Sequence, residues 1–277
     1  MGPIDYRELK VVIKGAGEMA SGIAHRLFMA GIKKILMTEL PNPLCIRRTV
    51  SFCEAIYEGQ WEVEGVKALF LRSIEEVQKV WDQGMIGVIV DPSSSSIASL
   101  NPHVVVDARM IKKYTEGKIK DEPIVIGIGP GFRAPENCHA VIESQRGHFL
   151  GKVIYNGEAE PHTKVPSPVL GYTTERVLRA PCSGVVKHVK KIGDRIKKGE
   201  IVMYVDKTPV FSEIDGILRG LIREIEVSEN EKIGDIDPRM DARYLNTISD
   251  KARAIGGGVL EAILHFLPDI RGKEDVT

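Results

Sequence analysis

The stretch with the clearest chemical potential is Gly15-Ala16-Gly17-Glu18-Met19-Ala20, set between the apolar run KVVIK and the helix-patterned SGIAHRLFMAG. Gly15, Gly17 and Ala20 have the spacing of a dinucleotide-type turn. The first glycine permits the tight turn, the second lets a pyrophosphate approach the backbone, and the small third residue lets helix and strand pack closely. A second apolar run, KKILMT, then ends at Glu39. This lies about 20 residues on, where an acid accepts the ribose hydroxyls of NAD and repels the 2′-phosphate of NADP. The same glycines also serve packing alone, and Glu39 equally faces water or caps the next helix.

Further polar groups close later apolar runs. MIGVIV ends on Asp91, followed by Pro92 and Ser93 to Ser96; HVVVDARM carries Asp107; PIVIGIGPGF ends in a second glycine loop, Gly127, Gly129 and Gly131. Each alone reads as an ordinary turn. Together they collect at the carboxyl ends of successive strands, where an open α/β sheet places its ligand crevice. Between HAVIES and FLGKVIY, a tight turn presents Arg146 and His148. Both suit an anion, Arg through paired bonds and His as donor or proton shuttle, and both equally read as solvated turn residues. Glu143 is a candidate partner for Arg146. Cys138, between Asn137 and His139, is the best candidate for a reactive thiol, although its place beside a strand also predicts a buried structural cysteine.

These groups need a scaffold, and the hydrophobic pattern supplies one. Apolar runs alternating with helical spacing predict an α/β fold, a Rossmann-like parallel sheet over residues 1–160. LCIRRTVSFCEAIYEG reads as a helix with Arg47 and Arg48 solvated in its first turn; EVEGVKALFLRS reads as one strand. After a linker at 161–178, residues 179–238 hold an imperfect repeat, SGVVKHVKKIGDRIKKGEIVMYV and DGILRGLIREIEVSENEKIGDID. It predicts a small biotinyl/lipoyl-like barrel-sandwich in which Asn230 takes a left-handed turn position. The turn VDKTPVF lacks the flanks of a carrier lysine, so Lys207 reads as a plain turn residue. Lys187, Lys190, Lys191, Arg195, Lys197 and Lys198 read as a solvated face opposite the acids from Glu224 to Asp237. Residues 239–277 predict a C-terminal helix opened by Ser249, returning to the first domain, with Gly256-Gly257-Gly258 allowing close packing, a break or a phosphate contact. The closing RGKEDVT is expected to fray.

Lys plus Arg and Asp plus Glu both total 38, with 43% hydrophobic residues. That balance points to no nucleic acid and no acidic membrane surface as partner. No apolar run approaches the roughly 18 residues of a membrane span, and the polar start does not resemble a signal peptide, so the expected location is cytoplasmic. Cys45, Cys53, Cys138 and Cys182 form no C-x-x-C pair, which predicts neither a disulfide framework nor a metal site. Self-association into a homo-oligomer stays open.

GAGEMASGIAHRL, TELPNPLCIRRTVSFCEAIYEG, IGIGPGFRAPENCHAVIESQRGHFLGKVI, ERVLRAPCSGVV and TISDKARAIGGGVLEAI together resemble the YqeB-type family of accessory proteins of selenium-dependent molybdenum hydroxylases, distantly similar to XdhC-type maturation proteins. The resemblance implies a role in maturing xanthine or purine dehydrogenase-like enzymes, with an apo-molybdenum hydroxylase as partner. It also implies molybdenum cofactor, or a precursor of it, as a nucleotide-type small-molecule ligand in the crevice. NAD fits the same cradle, and an NAD-dependent oxidoreductase is the alternative, although no Tyr-x-x-x-Lys or paired catalytic His and Asp is evident.

Overall fold

The computed structural model describes residues 4–111, 123–163 and 165–270. The tail RGKEDVT lies outside them. The chain divides into two compact units. One comprises Met1–Pro41, Phe52–His162 and Ile248–Thr277, the other Asn42–Ser51 and Thr163–Thr247.

In the first unit the elements run β1 (Lys10–Lys14), α1 (Glu18–Met29), β2 (Lys34–Glu39), α2 (Ala55–Glu58), β3 (Gln60–Val63), β4 (Val66–Leu71), α3 (Val77–Asp82), β5 (Ile86–Val90), α4 (Ser96–Leu100), β6 (Val104–Asp107), β7 (Ile124–Ile128), β8 (Arg133–Ala134), β9 (Ala140–Ile142), β10 (Val153–Ile154) and β11 (Gly157–Glu158). The long α5 (Asp250–Phe266) completes it. Nine strands form one sheet in the order β10-β9-β7-β6-β1-β2-β5-β4-β3, and β8 pairs with β11 apart from it. Val11 to Ile13, Ile35 to Met37 and Val104 to Val106 are buried, as central strands covered on both faces require.

The expected parallel Rossmann-like sheet is corrected here, because the sheet is mixed. Its two edges, β3 against β4 and β10 against β9, are antiparallel. The first of these edges arises inside EVEGVKALFLRS, which is two strands instead of one. Glu64 and Gly65 both adopt left-handed backbone, φ 45° and 83°, the pair that closes a two-residue hairpin. The helix expected over 44–59 is also absent as such. Two 3-10 turns, Arg48–Val50 and Phe52–Glu54, precede the single turn of α2. The chain passes from one unit to the other within this stretch, so no single amphipathic face can form.

Ser249 caps α5 by accepting the Ala252 amide, as its sequence position predicts. The glycine run inside α5 serves close packing. A Cβ on Gly256 would lie 3.0 Å from the Gly22 carbonyl oxygen of α1, and one on Gly258 would lie 2.3 Å from the Gly151 carbonyl oxygen. A Cβ on Gly257 would meet nothing within 4 Å.

The second unit contains β12 (Val177–Arg179), β13 (Gly184–His188), β14 (Arg195–Ile196), β15 (Ile201–Val205), β16 (Thr208–Phe211), β17 (Gly216–Leu221), β18 (Glu226–Val227) and β19 (Lys232–Asp237). They form two four-stranded sheets, β12-β19-β17-β14 and β16-β15-β13-β18, with every pairing antiparallel. Val186, Ile196, Met203, Leu218, Ile233 and Ile236 lie in their shared core. The biotinyl/lipoyl-like barrel-sandwich read from the repeat is corrected to two separate four-stranded antiparallel sheets. Each sheet ends on two edge strands and neither closes on itself. Asn230 does take left-handed backbone, φ 66°. Arg47 is buried and donates to the carbonyls of Tyr244 and Thr247 at 2.9 and 3.2 Å, while Arg48 donates to the Leu221 carbonyl at 2.7 Å. Their expected solvation is therefore corrected: both guanidiniums are spent holding the 42–51 segment within this unit.

The three glycines of α5 separate packing from propensity. Gly258→Ala must push against backbone and is expected to cost about 1–3 kcal/mol. Gly257→Ala, in open space, is expected to add up to about 1 kcal/mol through helix propensity. Urea denaturation of the two variants should move in opposite directions.

Candidate functional site

The strand order reverses between β1 and β6. From β1 the sheet grows one way through β2 and β5, and from β6 the other way through β7 and β9. Loops leaving adjacent strands part at such a switch point and leave a crevice. The carboxyl ends form one row, because Gly127 is in register with Asp107, Asp107 with Lys14, and Lys14 with Thr38. Gly15 follows at φ 99°, and a Cβ there would lie 3.5 Å from the Ala108 carbonyl oxygen. Gly17 is the N-cap of α1 and makes no side-chain cap bond. A Cβ on Gly17 would meet nothing within 4 Å, so the start of the helix has room beside it. Ala20 is buried in the first turn of α1, the small residue that close packing needs.

Glu39 stands next to this loop but turns into it. One carboxylate oxygen accepts the Ala16 amide at 2.7 Å and the other accepts the Leu40 amide at 2.8 Å. Burial raises its pKa, and the two amide bonds only partly offset this. Asp107 is buried and accepts a two-pronged bond from Arg109, at 3.0 and 2.6 Å, with Lys14 Nζ at 3.8 Å. The sequence reading missed Lys14 and Arg109. The available signal was a lysine closing an apolar strand directly before a glycine, in a strand buried on both faces.

The remaining candidates serve their own loops. Asp91 accepts the Ser96 hydroxyl and amide at 2.6 and 2.8 Å, the Ser93 hydroxyl at 2.9 Å and the Ser95 amide at 3.1 Å. Burial opposes its ionisation, but these bonds outweigh it and hold the pKa at about 2. The serine run is thus a cage for one carboxylate. Gly127 makes room for the Phe132 ring, and Gly129, at φ 76°, abuts Ser144. Gly131 likewise has φ 104°. Arg146 is held by Asp250 of α5 at 2.5 and 2.7 Å. It is not paired through Glu143, whose buried carboxylate accepts the Gln145 and Glu160 amides, both at 2.7 Å. His148 is exposed, edge-on to Phe149. Cys138 is a buried free thiol. Burial pushes it up to about 12, against amide bonds from Gly127 and Arg133.

In the second unit, Lys207 occupies the exposed β15–β16 turn, which Asp206 fixes by accepting the Val185 amide at 2.9 Å. Of the six cations, Lys187, Lys190 and Lys197 pair with Glu224, Glu200 and Asp215 at 3.3, 3.5 and 2.9 Å. Among the described residues no group of three or more His, Cys, Asp or Glu is arranged to hold a metal ion. No described helix is long and apolar enough to cross a membrane.

No protein-family model matches the chain. It is 45% identical over 258 residues to the uncharacterized protein YqeB of Escherichia coli K12. That alignment covers 93% of this chain and 48% of the relative, so the chain spans about half the length of the curated protein it matches. Similar solved structures include a succinylglutamate desuccinylase/aspartoacylase of Rhodobacter sphaeroides, 17% identical over 22% of each chain with a TM-score of 0.21. An aspartoacylase-family protein of Mesorhizobium loti is 8% identical over 76% of this chain and 58% of its own, with a TM-score of 0.23. Scores this low transfer neither fold nor activity.

These findings correct the expected function. The relative that shares the family's name is described only as uncharacterized, so no described activity stands behind a maturation role. The maturation role and its molybdenum and selenium chemistry therefore lose their ground.

The Asp91 cage gives a pH-dependent prediction. A depressed carboxyl pKa contributes stability above its unfolded value that is lost as pH falls through the folded value. Asp91→Asn is therefore expected to lower stability by about 1 kcal/mol at pH 7, the size of a lost cap. Urea melts should show this gap closing as pH falls from roughly 4 towards 2.

Proposed function

We propose that this chain binds a small, nucleotide-type organic ligand in the crevice between the loops after β1 and β6, with the ligand's negative group at the start of α1. One observation carries the reading: at the point where strand order reverses, α1 opens on Gly17, which has no side-chain cap and nothing within 4 Å of its Cβ position. The N-terminus of a helix favours an anion. Lys14 and Arg109, gathered on Asp107 beside Gly15, supply nearby positive charge. Gly15, Gly17, Glu39 and Asp107 form the immediate site; Gly129 and Gly131 lie on a neighbouring loop, and Asp91, Arg146 and His148 have outer positions. The cysteines are all free thiols, which suits a reducing cytoplasm.

The test is calorimetric titration of the whole chain with AMP, ADP, NAD and inorganic phosphate, paired with backbone amide shifts. Binding of at least one organic probe, with shifts at Gly17 and Glu18, is the expected result. Gly17→Val should abolish it while costing no more than about 1 kcal/mol of stability, because its side chain fills open space. Absence of binding by every probe, or unchanged binding in Gly17→Val, would overturn the reading.

A further inference from the structure

The edge strands β12 and β16, one from each sheet of the second unit, flank an open groove of about 400 Å³. Val177 and Pro181 line it on the β12 side, Pro209 and Phe211 on the β16 side. Phe211 is 50% exposed, so an aromatic ring fit for a core stands half in water. Arg179 and Glu213 also line the groove, and both are exposed, the cation on the β12 wall and the acid just past β16. Strand edges invite pairing by an added strand, but Pro209 lies within β16 and Pro181 follows β12, and neither has an amide to donate. An occupant must therefore seat side chains against these walls.

We propose that the occupant is a second copy of this chain, packed groove to groove about a two-fold axis that runs along the groove. Such an axis sets each copy's β16 wall against the other's β12 wall. Phe211 of one copy then enters between Val177 and Pro181 of the other, and each Arg179 faces Glu213 of the opposite copy. The patch is self-complementary, as a two-fold contact requires, because one surface supplies both knob and hole, both cation and acid. A foreign partner of a single charge sign would satisfy only one of the two rim residues. An apolar centre with a charged rim is the usual anatomy of protein contacts. Lys plus Arg and Asp plus Glu both total 38, so two copies meet without net repulsion. The dimer does not depend on the ligand site proposed above.

The experiment is sedimentation equilibrium of the full chain over rising concentration, with variants at the groove. The parent is expected to show a reversible monomer–dimer equilibrium. Phe211→Ser should weaken it about ten-fold or more, as loss of a buried aromatic anchor does. Arg179→Glu and Glu213→Arg each set like charges face to face and should weaken it by a similar factor, about ten-fold or more. An equimolar mixture of these two variants restores opposite charges across the contact and should recover the parent's affinity. A parent that stays monomeric at every concentration overturns the proposal, as does a dimer that Phe211→Ser leaves intact. A mixture that associates no better than either variant alone overturns it as well, and so does assembly beyond two copies, since a two-fold contact closes. Should Phe211→Ser not fold, the exposed charge variants and their mixture decide alone.

Discussion

The carboxyl edge of the large sheet depends on how one buried negative charge is satisfied. Asp107 closes β6 almost fully enclosed, and a buried carboxylate is tolerated only when paired and hydrogen-bonded. Lys14 answers from β1 in register, and Arg109 folds back two residues later with its planar fork on the same carboxylate. Removing one member of such a group typically costs about 3–5 kcal/mol, because the other charge is left uncompensated. The pairing therefore fixes both the junction of β1 with β6 and the path of the chain after β6. That path brings the Ala108 carbonyl against Gly15, which holds the loop before α1 in the shape that leaves Gly17 open.

The other acids of this edge obey the same requirement by local means. Glu39 takes the amides of Ala16 and Leu40, Asp91 those of Ser95 and Ser96, and Glu143 those of Gln145 and Glu160. Each uses two oxygens to bind two amides that a loop would otherwise leave to water. The edge consequently presents much less free charge than its sequence suggests. The start of α1 lies beside these groups, with nothing within 4 Å of the Gly17 Cβ position.

Much of the first unit was legible because its signals are local. KVVIK, the glycine turn and SGIAHRLFMAG became β1, loop and α1, and Ser249 capped α5 as its position required. The failures have nonlocal causes. The 44–59 stretch has helical spacing, but the chain crosses between units inside it, so two different cores claim its apolar residues. Glu64-Gly65 was missed because a non-glycine residue at φ 45° is uncommon. The repeat in the second unit correctly marked alternating strands and the left-handed Asn230. Alternation fixes which face of a strand is buried, and says nothing about which strands become neighbours.

The candidate site shows the same division. Polar residues at strand ends were easy to find, since a charged group interrupting an apolar run stands out. Their orientation was not, because a carboxylate at a strand end has two competing partners: an amide of its own loop, held within reach by the chain, and a ligand that must be drawn from solution at an entropic cost. The loop amide wins wherever the turn can deliver it, as at Asp91 and Glu143. The competition is closest at Glu39, where burial raises the cost of keeping the carboxylate charged while two amides reward it. A side chain balanced in this way is a partner that the loop supplies to itself, and at Glu39 that partner is the pair of amides of Ala16 and Leu40.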